Sequence, residues 1–280
     1  SEGGSVVQSA GQITAGALTV SAQTGINLGA LSVVSVTATN AASGAILLSE
    51  TGGFMILGLS NPAGTISATT TGNLALAGSV NSGSNAATLT SGGTLSQTAG
   101  TLTCGDLTLQ AANGISIVSV VAALVTASNS TGSLTLYNTG GLTVGDVWNP
   151  AGNVLITAYG APVVLVGVLY AGSNAITLTA LGSSILQTGG IISAQALVFS
   201  SATGAAFNAL NVSTIQGANL GPGVIQLTLA DPVTIAGLGL DNSGGNILVT
   251  SSTNLVVAGG IDNAGFTTTL ISTGGTIFQT

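Results

Sequence analysis

The amino-acid sequence predicts an all-β fold, a parallel β-solenoid of about twelve coils in three tandem units of about ninety residues. Three observations predict it: aliphatic residues are plentiful while charged ones are almost absent, a long segment recurs, and aliphatic residues alternate within short segments. We expect residues 1–280 to form a single continuous solenoid, with internal repeats at approximately 8–96, 97–186 and 187–278.

The charge composition argues against several classes of function. An average chain of this length would hold about 70 charged residues. This chain has 7, with no Lys, Arg or His, and its acids are Glu2, Glu50, Asp106, Asp146, Asp231, Asp241 and Asp262. Because cations supply most of the affinity for phosphates, we expect no nucleic-acid partner. Because the chain has no imidazole for acid–base catalysis and no Arg or Lys to bind an anionic substrate, we also expect no enzymatic activity and no catalytic residue.

The hydrophobic content is high enough for a folded core. It is 45%, which argues against disorder. The longest apolar stretch, around residues 118–128, falls well short of the roughly 18 residues that indicate a membrane-spanning helix. The N-terminus lacks a basic segment followed by an apolar one, so we expect any secretion signal to have been removed or to lie outside this sequence.

Two landmarks establish the long period. The motif that opens as "GGSVVQSAG" at Gly3 recurs, and its glutamines are Gln8, Gln97, Gln187 and Gln279, spaced 89, 90 and 92 residues apart. The segment "TGGFMILGLSNPAG" from Thr51 matches "TGGLTVGDVWNPAG" from Thr139, and "LDNSGGNI" from Leu240 occupies the third place. The chain therefore contains three tandem units.

Within each unit, alternating aliphatic residues predict short strands. The strand starts are Leu18, Ile46, Ile66, Ala87, Leu107, Leu134, Val154, Ile176, Leu197, Leu227, Ile247 and Thr268. Each unit has one long step of 27 to 30 residues followed by short steps of 20 to 22, which predicts four coils per unit with a loop insertion in the first. A step of about 20 residues is too short for a strand and a crossover helix, so a solenoid is expected.

The alternation also assigns the two faces of each strand. Two residues after each start, every position is apolar, from Val20 and Leu48 to Leu270, and we expect this column to face the core. In the intervening column eight of twelve residues are Ser or Thr, which suits an exposed strand face without charge.

Strings such as "GALTVSAQTGINLG" and "GDLTLQAANGISI" resemble the β-strand repeats of bacterial filamentous haemagglutinin-type exoproteins and autotransporter passengers. The resemblance covers essentially the whole chain. It implies a right-handed β-helix exported to the cell surface or beyond, with adhesive or structural work. The absence of Lys, Arg and His departs from that family and argues against a receptor- or heparin-binding role.

No residue is predicted to bind a metal or cofactor or to act in catalysis. Cys104, the only cysteine, is interpreted as a small core residue. Asp106, Asp146 and Asp231 fit solvated turns better than a glycan-cleaving site, although Asp106 and Asp146 could approach across coils. Repeated Asp of calcium-binding β-rolls is missing, and turn chemistry explains Asp241 and Asp262.

Three other sequence patterns each have a simpler explanation beside a functional one. The Thr-x-Thr segments beginning at Thr88, Thr101 and Thr177 resemble an ice-binding array, which Leu47, Leu155, Val198 and Leu248 interrupt. Asn129-Ser130-Thr131 and Asn211-Val212-Ser213 match the glycosylation pattern in the long first-coil segments, where chance is the simpler source. The outward aliphatics, with Met55, Leu57, Trp148 and Tyr170, are expected either to be covered by those insertions or to pack between rods.

The repeat phase suggests a function. The chain opens on the repeat motif and stops at "GGTIFQT", inside the motif that would start a fourth unit. Head-to-tail stacking of such ends generates an open filament. We therefore expect a secreted, extracellular structural filament subunit that associates with itself, with a segment of a large cell-surface adhesin as the alternative. An ice-binding solenoid and a glycan-cleaving β-helix are lesser alternatives.

Overall fold

A computed structural model of the protein describes residues 3–280, so Glu2 lies outside the described residues. Its 29 strands are all joined by turns and bends, and none of the described residues is helical. The chain divides into two compact units, Ser1–Tyr137 and Asn138–Thr280. From here on, the first and second unit mean these two bodies and not the three sequence repeats. Each unit is a parallel β-solenoid, which confirms the predicted fold class. A single continuous solenoid through both units stays a prediction.

The first unit contains short strands in parallel pairs. They are β1 (Val6–Val7), β2 (Ile13–Ala22), β3 (Ile26–Asn40), β4 (Ile46–Glu50), β5 (Gly53–Ser60), β6 (Ile66–Thr70), β7 (Asn73–Leu76), β8 (Val80–Asn81), β9 (Ala87–Ser91), β10 (Leu95–Gln97), β11 (Leu102–Ala111), β12 (Ile115–Ile117), β13 (Val120–Asn129) and β14 (Leu134–Asn138). One ladder pairs seven segments in register, through Val6, Ile26, Ile46, Ile66, Ala87, Leu107 and Val125. The unit therefore makes seven turns.

The second unit repeats this arrangement. Its strands are β15 (Leu142–Trp148), β16 (Val154–Tyr159), β17 (Val163–Leu165), β18 (Leu169–Tyr170), β19 (Ala175–Leu181), β20 (Ile185–Gln187), β21 (Ile192–Ser201), β22 (Ala205–Pro222), β23 (Ile225–Leu229), β24 (Val233–Gly244), β25 (Ile247–Ser251), β26 (Leu255–Val257), β27 (Ile261–Asp262), β28 (Thr268–Ser272) and β29 (Ile277–Gln279). One ladder again joins seven segments, through Leu142, Val163, Ile185, Ala205, Ile225, Ile247 and Thr268.

The two units together make fourteen turns, not the twelve predicted, because the long sequence steps contain no loop insertion. Between Leu18 and Ile46 lies β3, a fifteen-residue strand that takes part in two neighbouring ladders of the solenoid. Leu18 pairs with Val36, whereas Ile46 pairs with Ile26, so the two predicted starts lie in different ladders. In the second unit β22 fills the corresponding step. The long step is one full turn plus one more strand.

The predicted inward column forms the core. Of its twelve residues, ten are buried, and the other two, Val20 and Leu270, are half-buried because they lie in the first and last coils. None of the residues in the outward column is buried. Alternate residues of each strand thus face either the neighbouring coils or solvent, as the period-two pattern predicts.

Buried asparagines occupy strand ends in both units. The Asn40 Nδ2 amide donates to Oδ1 of Asn61 at 3.0 Å, and the Asn219 Nδ2 amide donates to Oδ1 of Asn242 at 2.9 Å. All four side chains are fully buried. Each amide also bonds backbone groups in the adjacent bend, so it ties the corner of one coil to the corner of the next.

Replacing Leu109 with Asp is expected to destabilise the first unit by several kcal/mol, on the order of 4, because it places an unpaired charge in the core. Leu109 is 0% exposed, between Leu89 and Ala127 on the adjacent strands. Thermal unfolding followed by circular dichroism measures the change. The control is Thr108→Asp on the outward face of the same strand, which should change stability little. Equal effects of the two substitutions would contradict the assigned faces.

Candidate functional site

The repeated glutamines form a common structure that we call the glutamine latch, made by Gln8, Gln97 and Gln187. In each latch Nε2 donates to the carbonyl of the glycine three residues later, at 2.7, 2.9 and 3.1 Å respectively. Nε2 also donates to the carbonyl twenty-two residues later, on the next coil, at 3.0, 3.3 and 3.0 Å. The latch therefore joins one coil to the following coil.

The other half of each latch accepts hydrogen bonds from that following coil. Oε1 of Gln97 accepts from the backbone N–H groups of Val118 and Ser119, and Oε1 of Gln187 accepts from those of Asn208 and Ala209. Oε1 of Gln8 accepts from the N–H of Ala30. Each amide thus uses both its donor and its acceptor on backbone groups of the next coil.

The second sequence landmark also has the same structure in each copy. Asn61, Asn149 and Asn242 are all fully buried. Each donates from Nδ2 to the carbonyl of the residue four positions later, at 2.8, 2.9 and 2.8 Å. The repeated Asn therefore closes a turn, and this explains why "NPAG" and "DNSGG" recur at the same place in the repeat.

Gln279 occupies the same repeat position as the latch glutamines. This residue pairs with Val257 on the preceding coil, so it stands in a regular coil position. Its side chain makes no hydrogen bond within the described residues, because no described residue follows at the partner positions. Gln279 is exposed, whereas Gln97 and Gln187 are buried.

The coil around Gln279 also exposes residues that are buried elsewhere. Ile277 is 40% exposed, although its partner on the preceding coil, Leu255, is 0% exposed. A cavity of about 320 Å³ opens there between Ile261, Leu270 and Ile277. In the first unit, Val6, Leu18 and Val20 of the first coil are likewise only half-buried. Inward residues of coils without a neighbour on both sides among the described residues are therefore less buried than the others.

The acidic residues discussed in the sequence analysis do not come together as a catalytic group in the structure. Asp106 is exposed in the first unit, and Asp146 is exposed in the second, where Oδ1 accepts a hydrogen bond from the N–H of Val168 at 2.8 Å. Asp231 is exposed in a turn. Asp241 and Asp262 are the exception, because they lie in register on adjacent strands. Within residues 3–280 there is no group of three or more His, Cys, Asp or Glu that could hold a metal ion.

Sequence reasoning missed the special position of Glu50. This carboxylate is 3% exposed and lies at a strand end, where its partner on the next coil is Thr70. Oε2 accepts hydrogen bonds from the N–H of Gly53 at 2.6 Å and from Oγ1 of Thr70 at 2.8 Å. The sequence signal that could have identified Glu50 is its repeat position, because the next two coils carry the polar residues Thr70 and Ser91 at the same position.

Cys104 is a buried core residue, as predicted. Its thiol is 6% exposed. Burial, and secondarily the charge of Asp106, raises the pKa of Cys104 from 9.0 to about 11. The thiol is therefore protonated and weakly reactive near neutral pH.

The first unit has an uninterrupted threonine array whose last member differs from the prediction. Outward hydroxyls stack in register through Ser67, Thr88, Thr108 and Thr126. The strand starts at Leu107 and Leu134 predict that Thr135 follows Thr108 in this column, which is wrong because Thr135 pairs with Ser116. Leu47 bounds the array on one side. In the second unit Thr177 lies between Leu155 and Val198, so that array is interrupted as predicted.

The exposed apolar side chains are not covered by insertions, because those segments are strands. Leu57 and Trp148 are 47% and 51% exposed. Trp148 stacks on Tyr170 with ring centroids 4.1 Å apart. Among the glycosylation patterns, Asn129 is fully buried and its amide donates to the carbonyls of Thr131 and Gly132, so it is unavailable for a glycan. Asn211 is exposed in β22.

Comparison of the chain with family models, with curated protein sequences and with solved structures gave no match. Within the described residues, no helix has the length and apolar character needed to cross a membrane. The site that repeats through the described residues is the latch between coils at Gln8, Gln97 and Gln187.

Replacing Gln97 with Leu is expected to destabilise the first unit by roughly 2–4 kcal/mol, because it leaves buried backbone groups without partners. Urea denaturation measures the change. The control is Gln110→Leu, since Gln110 is exposed on the outward face of the same unit. If Gln97→Leu were as mild as Gln110→Leu, the latch would not hold the coils together.

The native thiol of Cys104 is expected to react slowly with a disulfide reagent at pH 8, and quickly once the chain is unfolded. Because its folded pKa is raised, its contribution to stability is present below about pH 9 and is lost as the pH rises through about 11. Stability measured between pH 8 and 11 should therefore fall more in the parent chain than in Cys104→Ala. An equal fall in both would exclude the thiol as the cause.

Proposed function

We propose that this chain is an extracellular structural protein, a filament subunit whose β-solenoid coils stack end to end with those of further copies. The observation that carries the proposal is the glutamine latch, which ties one coil to the next at Gln8, Gln97 and Gln187. Its partners are backbone groups, so coils of another copy with the same geometry can supply them.

The chemistry of the edge supports stacking. A coil laid on the last coil of the second unit would cover Leu270 and Ile277 and pair the free backbone edges of β28 and β29. It would also supply Gln279 with a carbonyl and N–H groups. Contact between different edges of identical subunits is heterologous, and it grows into a filament when it does not close. The exposed side chains of the outward faces, such as Leu57 and Trp148, suit lateral packing between filaments.

The composition supports a place outside the cell. Gly-, Thr- and Leu-rich strand repeats are similar to those of haemagglutinin-type exoproteins, and the chain has no cationic side chain for nucleic acids. A mean hydropathy of +0.71 with a net charge of −7 favours a chain whose sides are partly buried in an assembly. In the alternative, the chain is a segment of a large adhesin, and further coils of the same polypeptide lie on these edges.

Fusing a charged, folded cap directly after Thr280 is expected to stop growth at that edge while leaving both units folded, because coil burial within a unit needs no neighbour. Mixing a small fraction of capped chains with uncapped ones should shorten the filaments steeply. Electron microscopy measures filament length, and circular dichroism verifies the fold.

The matched control carries the same cap on a flexible Gly/Ser linker of about 30 residues, which leaves the edge accessible. Filaments should then keep most of their length. Lengths that do not respond to the direct cap would contradict axial stacking, as would a pure chain that forms no filaments. Either result would favour the adhesin segment.

A further inference from the structure

A pocket of about 460 Å³ lies on the surface of the second unit, beside β24. Its volume falls within the range of about 300–1,000 Å³ that is usual for small-molecule sites. The lining includes the apolar residues Val198, Phe199, Leu238 and Leu240 and the acids Asp241 and Asp262. The lining shares Gly260 with the cavity beside Gln279, whereas Leu238, Leu240 and Asp241 lie one coil earlier, on β24.

An irregularity in the ladder builds this pocket. The pairing of β22 with β24 runs through Ile215 and Ile235 and resumes at Gly217 and Leu240. One residue of β22 is therefore opposed by four residues of β24, which bulge away from the wall of the solenoid. Bulges of this kind are frequent next to functional sites.

The bulge has features that regular coils do not require. Gly237 and Gly239 have φ angles of 62° and 81°, in the left-handed region that favours glycine. Between them Leu238 is 91% exposed. Across the wall, Gly217 leaves room for the ring of Phe199, which lies where a side chain at that position would be. The two glycines thus place an apolar side chain at the mouth of an apolar cavity.

The acids give the pocket its charge. Asp241 and Asp262 are aligned on adjacent parallel strands, which lie about 4.8 Å apart. Asp262 accepts a hydrogen bond from the N–H of Ala264 at 3.1 Å, and no hydrogen bond to the Asp241 carboxylate occurs within the described residues. Two like charges at this separation repel each other. The sequence has no Lys, Arg or His to offset them.

We propose that this pocket binds a small organic cation that carries an ammonium head on an apolar body. The head lies between Asp241 and Asp262, and the body packs against Val198 and Leu238. The complementary charge comes from the ligand because the chain has no cationic side chain. The apolar wall then selects an amphipathic cation over a simple ion. All residues that line the pocket belong to one chain, so a single copy can form the site.

Equilibrium dialysis of the full chain against benzyltrimethylammonium tests the proposal, because it works for single chains and for filaments. Binding should reach one molecule per chain. Asp241→Asn or Asp262→Asn should weaken it roughly fivefold each, since each removes one partly screened charge. The matched control is Asp231→Asn, an exposed acid of the same unit that does not line the pocket, which should bind like the parent.

A second variant, Ala218→Leu, fills the pocket while keeping both carboxylates, and it should weaken binding at least as much. Tetramethylammonium, which lacks the apolar body, and benzyl alcohol, which lacks the charge, should both bind more weakly than benzyltrimethylammonium. Equal loss in Asp231→Asn, or full binding by Ala218→Leu, would overturn the proposal in favour of general attraction to an acidic chain. If the parent chain bound calcium instead of the organic cation, that result would overturn the proposal in favour of a metal site.

Discussion

Register between successive coils is the constraint on which the rest of this structure depends. An inward residue can be buried only if the residue in the same position of the next coil also faces inward, because a slip of one residue would exchange the two faces. Hydrophobic burial alone resists such a slip weakly where small residues such as Ala68 or Ala87 line the core. The amides of the glutamine latches and of the Asn40–Asn61 and Asn219–Asn242 pairs add directional bonds that only one register satisfies.

The same constraint explains how the chain manages without positive charge. Its buried polar atoms are satisfied by backbone groups, amides and hydroxyls. Among the described residues, only Oγ1 of Thr253 is buried without a hydrogen-bond partner. Glu50 shows how far this extends, since a buried carboxylate is held by the N–H of Gly53 and the hydroxyl of Thr70 with no cation beside it. Short polar side chains at strand ends therefore take the role that ion pairs have in other folds.

Features that depend on the period-two alternation could be predicted from the sequence. The number of turns could not, because some corners of the solenoid contain no turn residue. Alternation identified the fold class and both faces correctly, because inward burial requires it at every coil. The turn count was wrong because β13 passes a corner within "VVAALVTASN", which has no Gly or Pro, so Leu107 was matched with Leu134 although it pairs with Val125. The sequence could not predict the hydrogen-bond partners of the latches or the bulge at residues 236–239, because both depend on which strands become neighbours.

The sequence repeat and the turn of the solenoid do not share a period. From Gln8 to Gln97 the chain makes four turns and one further strand, so Gln8 lies in the ladder of Val6 and Ile26, whereas Gln97 lies in that of Leu76. In the second unit, Gln187 and Gln279 differ in the same way. Within a unit, the second copy of a repeated surface residue therefore lies on a different ladder from the first. A repeated sequence motif is thus displayed on more than one side of the solenoid.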